Sequence, residues 1–113
     1  MPDPSERSRA RMGQLNDAFR RSFIGGLVVT SSGVGALPAA QRACIFTAVQ
    51  GFDDFNADND SHGEHDFGVV EAGDARCFWK IDYYDSEMEF MSPDPTNPSV
   101  TKRVLTIMLA DEY

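Results

Sequence analysis

Residues 51–85, GFDDFNADNDSHGEHDFGVVEAGDARCFWKIDYYD, decide how this chain is read. The first half is polar and acidic: residues 53–66 carry six carboxylates and two histidines with no Lys or Arg, which is loop composition. The second half changes to period-two alternation. Phe67-Gly68-Val69-Val70-Glu71 reads as a strand, Ala72-Gly73-Asp74 as a tight turn, and residues 76–84 as the returning strand of a hairpin. In that return strand Cys77, Trp79, Ile81 and Tyr83 share one face, expected in the core. Phe78, Lys80, Asp82 and Tyr84 share the other, expected under a helix edge or as a contact surface.

Upstream, Asp3-Pro4-Ser5-Glu6 is a helix start, with Asp3 as cap, Pro at the first helical position and Glu6 as in a capping box. Met12, Leu15, Phe19 and Phe23 recur at helical spacing, and Gly25-Gly26 is expected to end the helix. Leu27-Val28-Val29-Thr30 reads as a strand and residues 31–35 as a flexible turn. This glycine-bearing segment lacks the Lys-Ser/Thr of a phosphate loop and the order of a dinucleotide fingerprint. A second helix is expected from Pro38 to Phe52 or Phe55, burying Ile45, Ala48, Val49, Phe52 and Phe55.

Downstream, Met88-Glu89-Phe90-Met91 reads as a short strand and residues 92–96 as a proline-rich loop. Asn97-Pro98 is expected to open a final helix with Val100, Val104, Ile107 and Met108 facing the core. The order α-β-α-β-β-β-α predicts a single α+β domain over residues 1–113, with residues 1–5 as a flexible lead. Its sheet is expected to be antiparallel, of about four strands, with helices mainly on one face.

With 113 residues, 42% of them hydrophobic, the chain can bury a core without disulfide or metal staples. No apolar run approaches the ~18–20 residues of a membrane span, and the basic start leads into no apolar signal region. Cys44 and Cys77 lack metal or redox spacing and read as packed, reduced thiols, so a cytoplasmic protein without membrane attachment is expected. The net charge of −8 is unevenly placed: residues 1–50 set six arginines against three acids, and residues 51–113 set fifteen acids against four bases. Such a surface repels nucleic acid and favours a basic protein partner or a cation.

Several chemistries compete for the acidic loop. Asp58, Asp60, His62 and Gly63 overlay the first half of an EF-hand loop, but Val69 stands where its bidentate Glu belongs. His62 and His65, with Glu64, Asp66 and Asp85 within reach, are adequate ligands for a transition metal and would make a metal-dependent hydrolase. His65-Asp66 could serve as an acid/base pair, although no nucleophile accompanies it. The structural alternative is that these side chains satisfy loop backbone and pin the hairpin entry.

Four segments, LNDAFRRSF (15–23), DNDSHGEHDFG (58–68), FWKIDYYD (78–85) and SPDPTNPSVTKRVLTIMLADEY (92–113), together resemble the family known as domain of unknown function 3768. The resemblance implies a small bacterial protein carried with mobile elements, and therefore one acting on host machinery as an anti-restriction or anti-CRISPR factor. It implies no catalytic residues.

The reading that follows is a small acidic protein-binding factor, more a binder than an enzyme, requiring no cofactor. Asp53, Asp54, Asp58, Asp60, Glu64, Asp66 and Tyr84 would meet a basic host defence or nucleic-acid-binding protein, the carboxylates standing in for phosphates. The alternative is the hydrolase with His62, His65 and Asp66 as metal ligands. A homodimer through Phe78 and Tyr84, or by the basic first helix meeting an acidic loop, is compatible with either.

Overall fold

A computed structural model describes residues 4–113. The expected α+β domain is present. Helix α1 (Pro4–Ser22) is followed by strand β1 (Gly26–Thr30), a short helix α2 (Ser32–Gly35) and helix α3 (Ala39–Gln50). Strands β2 (Phe67–Ala72) and β3 (Ala75–Tyr84) form the hairpin, and β4 (Lys102–Leu109) completes a four-stranded sheet of order β1-β4-β3-β2. The hairpin turn is built as its residues demand: Gly73 and Asp74 both take positive φ, 57° and 60°, the pattern whose twist matches that of the flanking strands.

Three expectations are corrected. Residues 102–109 form a strand, not a helix, and it occupies the centre of the sheet, antiparallel to β3 and parallel to β1. The sheet is therefore mixed, where an antiparallel one was expected. Val104, Ile107 and Met108 of the spacing that suggests a helix lie in the segment Val104 to Leu109, whose apolar residues fit a strand paired on both edges equally well. Only the opening of the expected helix survives, as one 3-10 turn (Pro98–Val100) capped by the Asn97 side chain on Ser99 N–H. In place of the strand expected at 88–91, residues 86–90 form a turn and bend. Asp85 caps it by accepting from the Glu87 and Glu89 amides, and a single bridge joins Met91 to Tyr84.

The end of α1 also differs. The left-handed position belongs to Phe23 (φ 59°), whose amide bonds back to Phe19 O at 2.7 Å. A side chain there is disfavoured; edge-to-face packing on Phe46 at 6.1 Å holds it. The Asp3 cap falls outside the described residues, while Glu6 in the first turn and Arg20 and Arg21 in the last follow the helix dipole. The expected flexible turn at 31–35 is a helical turn capped by Ser31. Helix α3 stops at Gln50, and Phe52 and Phe55 pack on the core from beyond its end.

Each of the three helices sends a buried side chain into one cluster: Phe19, Val34, Ile45 and Val49 meet Val70, Cys77, Trp79, Ile81, Leu105 and Ile107 of the sheet. The sheet register places Leu27, Val29, Phe67, Val69, Phe78, Lys80, Asp82, Tyr84, Val104, Thr106 and Met108 on the opposite face. Cys77 is buried as expected, whereas Cys44 is exposed on α3. No described helix is long and apolar enough to cross a membrane.

Leu105 lies at the middle of β4 with no solvent exposure. Leu105→Ala should cost about 2–5 kcal/mol in denaturant unfolding. Lys102→Ala, exposed at the start of the same strand, should stay within about 0.5 kcal/mol.

Candidate functional site

The acidic loop, residues 51–66, is bound down to α1 and the sheet by a buried polar chain. Its origin is local to α1: Asn16 lies four residues after Met12 and three before Phe19, so helical spacing puts an amide in the middle of the apolar stripe. Asn16 and Arg103 are both buried. A buried polar group needs partners, and here they line up in one direction. Arg103 Nε donates to Asn16 Oδ1 (2.8 Å), Asn16 Nδ2 donates to Tyr83 Oη (2.7 Å), and Tyr83 Oη donates to Asp66 Oδ2 (3.3 Å). The second Asn16 amide hydrogen reaches the Glu64 carbonyl (2.9 Å), so one side chain joins helix, sheet and loop. Arg103 also donates to the Pro95 carbonyl (2.6 Å) and lies over the Tyr83 ring at 5.2 Å.

A second cluster sits beside it. Asp17 accepts from Arg20 at 2.8 Å and meets His65 Nδ1 at 2.9 Å. His65 Nε2 faces Asp60 Oδ2 at 3.4 Å, and its ring stacks on Phe55 with centroids 3.9 Å apart. Asp60 also accepts from the His65 amide (3.2 Å), and this holds His65 at a left-handed φ of 55°. Arg20 has its guanidinium 5.3 Å from both the Phe55 and Trp79 rings and donates to the Phe52 carbonyl. The helix comes so close that a Cβ on Gly13 would stand 2.7 Å from the Gly63 carbonyl. Glycine is required there.

The expected site residues therefore divide. Asp53, Asp54 and Asp58 are exposed. Their segment is pinned by its own asparagines: Asn56 Oδ1 accepts from the Asp58 and Asn59 amides, and Asn59 Nδ2 donates to the Asp54 carbonyl. Asp60 turns inward, with its side chain only 8% exposed. Glu64 and Asp66 are half-buried, and Tyr84 is half-buried on the other sheet face. Of the metal candidates, His62 is exposed beside Glu6 and Arg9 of α1, away from the committed nitrogens of His65. Asp66 turns to Tyr83, and Asp85 caps its own turn. Among the described residues no three His, Cys, Asp or Glu side chains are grouped to hold a metal ion. The carboxylates beside the His65 ring are those of Asp17 and Asp60, while Asp66 pairs with Tyr83. Sequence reasoning passed over Asn16, Asp17, Arg20 and Arg103; the available signal was a polar Asn and Arg within the stripe of Met12, Phe19 and Phe23.

The carboxyl groups respond to these settings in opposite directions. Burial alone would raise Asp17, but hydrogen bonds and charge from Arg20 and His65 outweigh it and hold the carboxyl below its ordinary value. Burial raises Asp66, only partly offset by the Tyr83 hydroxyl, and burial together with the Asp66 charge raises Glu64. Burial likewise pushes the Tyr83 hydroxyl up and the Arg103 guanidinium down. For Asp17, stability is present above the unfolded value and is lost as pH falls through the depressed one. For Asp66 the protonated form suits the fold, and that advantage is lost as pH rises through the elevated value. Asp17→Asn should lower the melting temperature at about pH 7 and much less at about pH 3. Asp66→Asn keeps an acceptor for Tyr83, so its melting temperature relative to the parent should climb between about pH 3 and pH 7. A relative fall across that range would contradict the burial of Asp66.

A scan against family models matches residues 30–112 to the family described as protein of unknown function (DUF3768). The match begins at the last residue of β1 and takes in the acidic loop, the hairpin and β4, with α1 lying ahead of it. Neither a curated protein nor a solved structure matches the chain. With most of its length covered by that one model, the chain belongs to the DUF3768 family.

Proposed function

We propose that this domain is a binding module that presents Asp53, Asp54 and Asp58 to a basic protein partner. The observation that carries the reading is the division of the loop's acids. Asp60 and Asp66, with His65, are spent on fixing the loop, while Asp53, Asp54 and Asp58 stand in solvent on a backbone tied by Asn56 and Asn59. A charge array already ordered before binding loses little conformational entropy on association, and its field speeds encounter with a cationic surface. The imbalance after residue 50, fifteen acids against four bases, gives that field its sign.

The finer form of the proposal is that the partner is a nucleic-acid-binding protein of host defence, whose phosphate groove these carboxylates would occupy. Its support is the acidic surface and the mobile-element setting that the family resemblance implies. The metal-dependent hydrolase has less behind it, because both ring nitrogens of His65 face carboxylates that anchor the loop and His62 stands apart.

The triple change Asp53→Asn, Asp54→Asn and Asp58→Asn removes charge at exposed positions and should leave the melting temperature within a few degrees. Affinity capture with parent and variant, each at low and at high salt, tests the reading. Partners held by the parent at low salt should be released by about 0.5 M salt, lost by the variant and displaced by duplex DNA. Partners retained equally by both proteins would contradict it.

A further inference from the structure

We propose that the free edge of β1 binds a second copy of this chain, the two β1 strands pairing antiparallel about a twofold axis at Val28.

Among the described residues the strand pairs with β4 alone, and its other side is open. An open edge is a template for another strand, and proteins usually blunt it with charge, proline or a bulge. Gly26–Thr30 has none of these. Moreover, residues 22–41 contain no charged side chain at all, in a chain with 28 Asp, Glu, Lys and Arg residues. The opposite edge, β2, carries Glu71 and follows directly on the acidic loop.

The backbone direction is fixed by one bond. Ser31 N–H donates to the Ile107 carbonyl of β4. In a parallel pair alternate residues turn both backbone groups toward the neighbour, so Leu27 and Val29 face β4, and Gly26, Val28 and Thr30 face outward. Antiparallel pairing centred on Val28 sets each outward residue against an outward one, Val28 on Val28 and Gly26 on Thr30. Each such pair exchanges two hydrogen bonds. The same register sets Leu27 against Val29 of the second copy. Those side chains are 51% and 41% exposed on the helix-free face, beside Val104 and Thr106. Apolar cross-strand neighbours of this kind stabilise a ladder.

Charge argues for self-association over a foreign strand. A cationic partner would be drawn to the residues after 50, where the acids concentrate. Two chains of net charge −8 repel, and they can approach most closely through a segment that carries no charge. Because each copy offers the same strand to the other, the contact closes as a pair and does not propagate. A contact five residues long is small, so dilution should dissociate it.

Sedimentation velocity on the full chain across a dilution series, up to about 1 mM, is the test. The parent should pass from dimer to monomer on dilution. Val29→Lys places an ammonium against Leu27 of the second copy and should weaken the dimer about tenfold or more, with unchanged circular dichroism. Val28→Pro removes an outward N–H and leaves the β4 ladder bonds in place, and it should do the same. A parent that stays monomeric throughout overturns the proposal and leaves the edge to a strand of another protein. A dimer that both folded variants retain at parental strength overturns it equally.

Discussion

The side chain of Asn16 is the constraint on which the rest of this structure depends. Fully buried in the apolar stripe of α1, it must satisfy two donors and an acceptor without water. It does so by standing between a cation and an anion, in the order Arg103, Asn16, Tyr83, Asp66, with each donor pointing toward the carboxylate. Hydrogen bonds aligned this way polarise one another, and in a low-dielectric site a break at any link strands a costly group. The Glu64 carbonyl on its remaining hydrogen couples the loop to the same node. Helix, central strands and loop thus share one polar joint inside an otherwise apolar interface.

That joint explains how a long, acidic loop is tied to the rest of the fold. Sixteen residues separate α3 from β2, with a composition that favours solvent. Two kinds of contact overcome that preference. Phe52 and Phe55 fold back over Trp79, while His65 and Asp66 turn inward to Asp17 of α1 and Tyr83 of β3, and Asp60 holds His65 from within the loop. Burial raises Asp66 and Glu64, so ordering the loop costs electrostatic free energy, and the Asp17–Arg20–His65 cluster acts in the opposite direction. A loop with solubility as its sole role would not need carboxylates placed where ionisation is disfavoured. This is the physical basis for reading the outward acids as a presented surface.

Much of the fold was legible because it is written locally. The Gly73-Asp74 turn and the alternation of Cys77, Trp79, Ile81 and Tyr83 specify the hairpin, and the Met12–Phe19 spacing specifies α1. Strand β4 was misread because its run from Val104 to Leu109 fits two periods, and only its neighbours β1 and β3 choose between them. The parallel pairing with β1, more than seventy residues away in the chain, has no local signature. The same holds at the site. Nothing beside Asp66 announces that it turns inward, since its partner Tyr83 is brought to it by the sheet, and Asp60 turns inward to a His65 that Asp17 of α1 holds from the other side. The three outward acids and the three inward residues look alike in sequence.

The account rests on the loop being held rigid before any partner arrives. Backbone 15N relaxation of the free protein addresses this directly. Order parameters for residues 56–60 and 64–66 should match those of β3, near 0.85. Values below about 0.6 through these residues would mean a mobile acidic tether, and would contradict the claim that the buried chain from Arg103 to Asp66 sets the acidic surface in place.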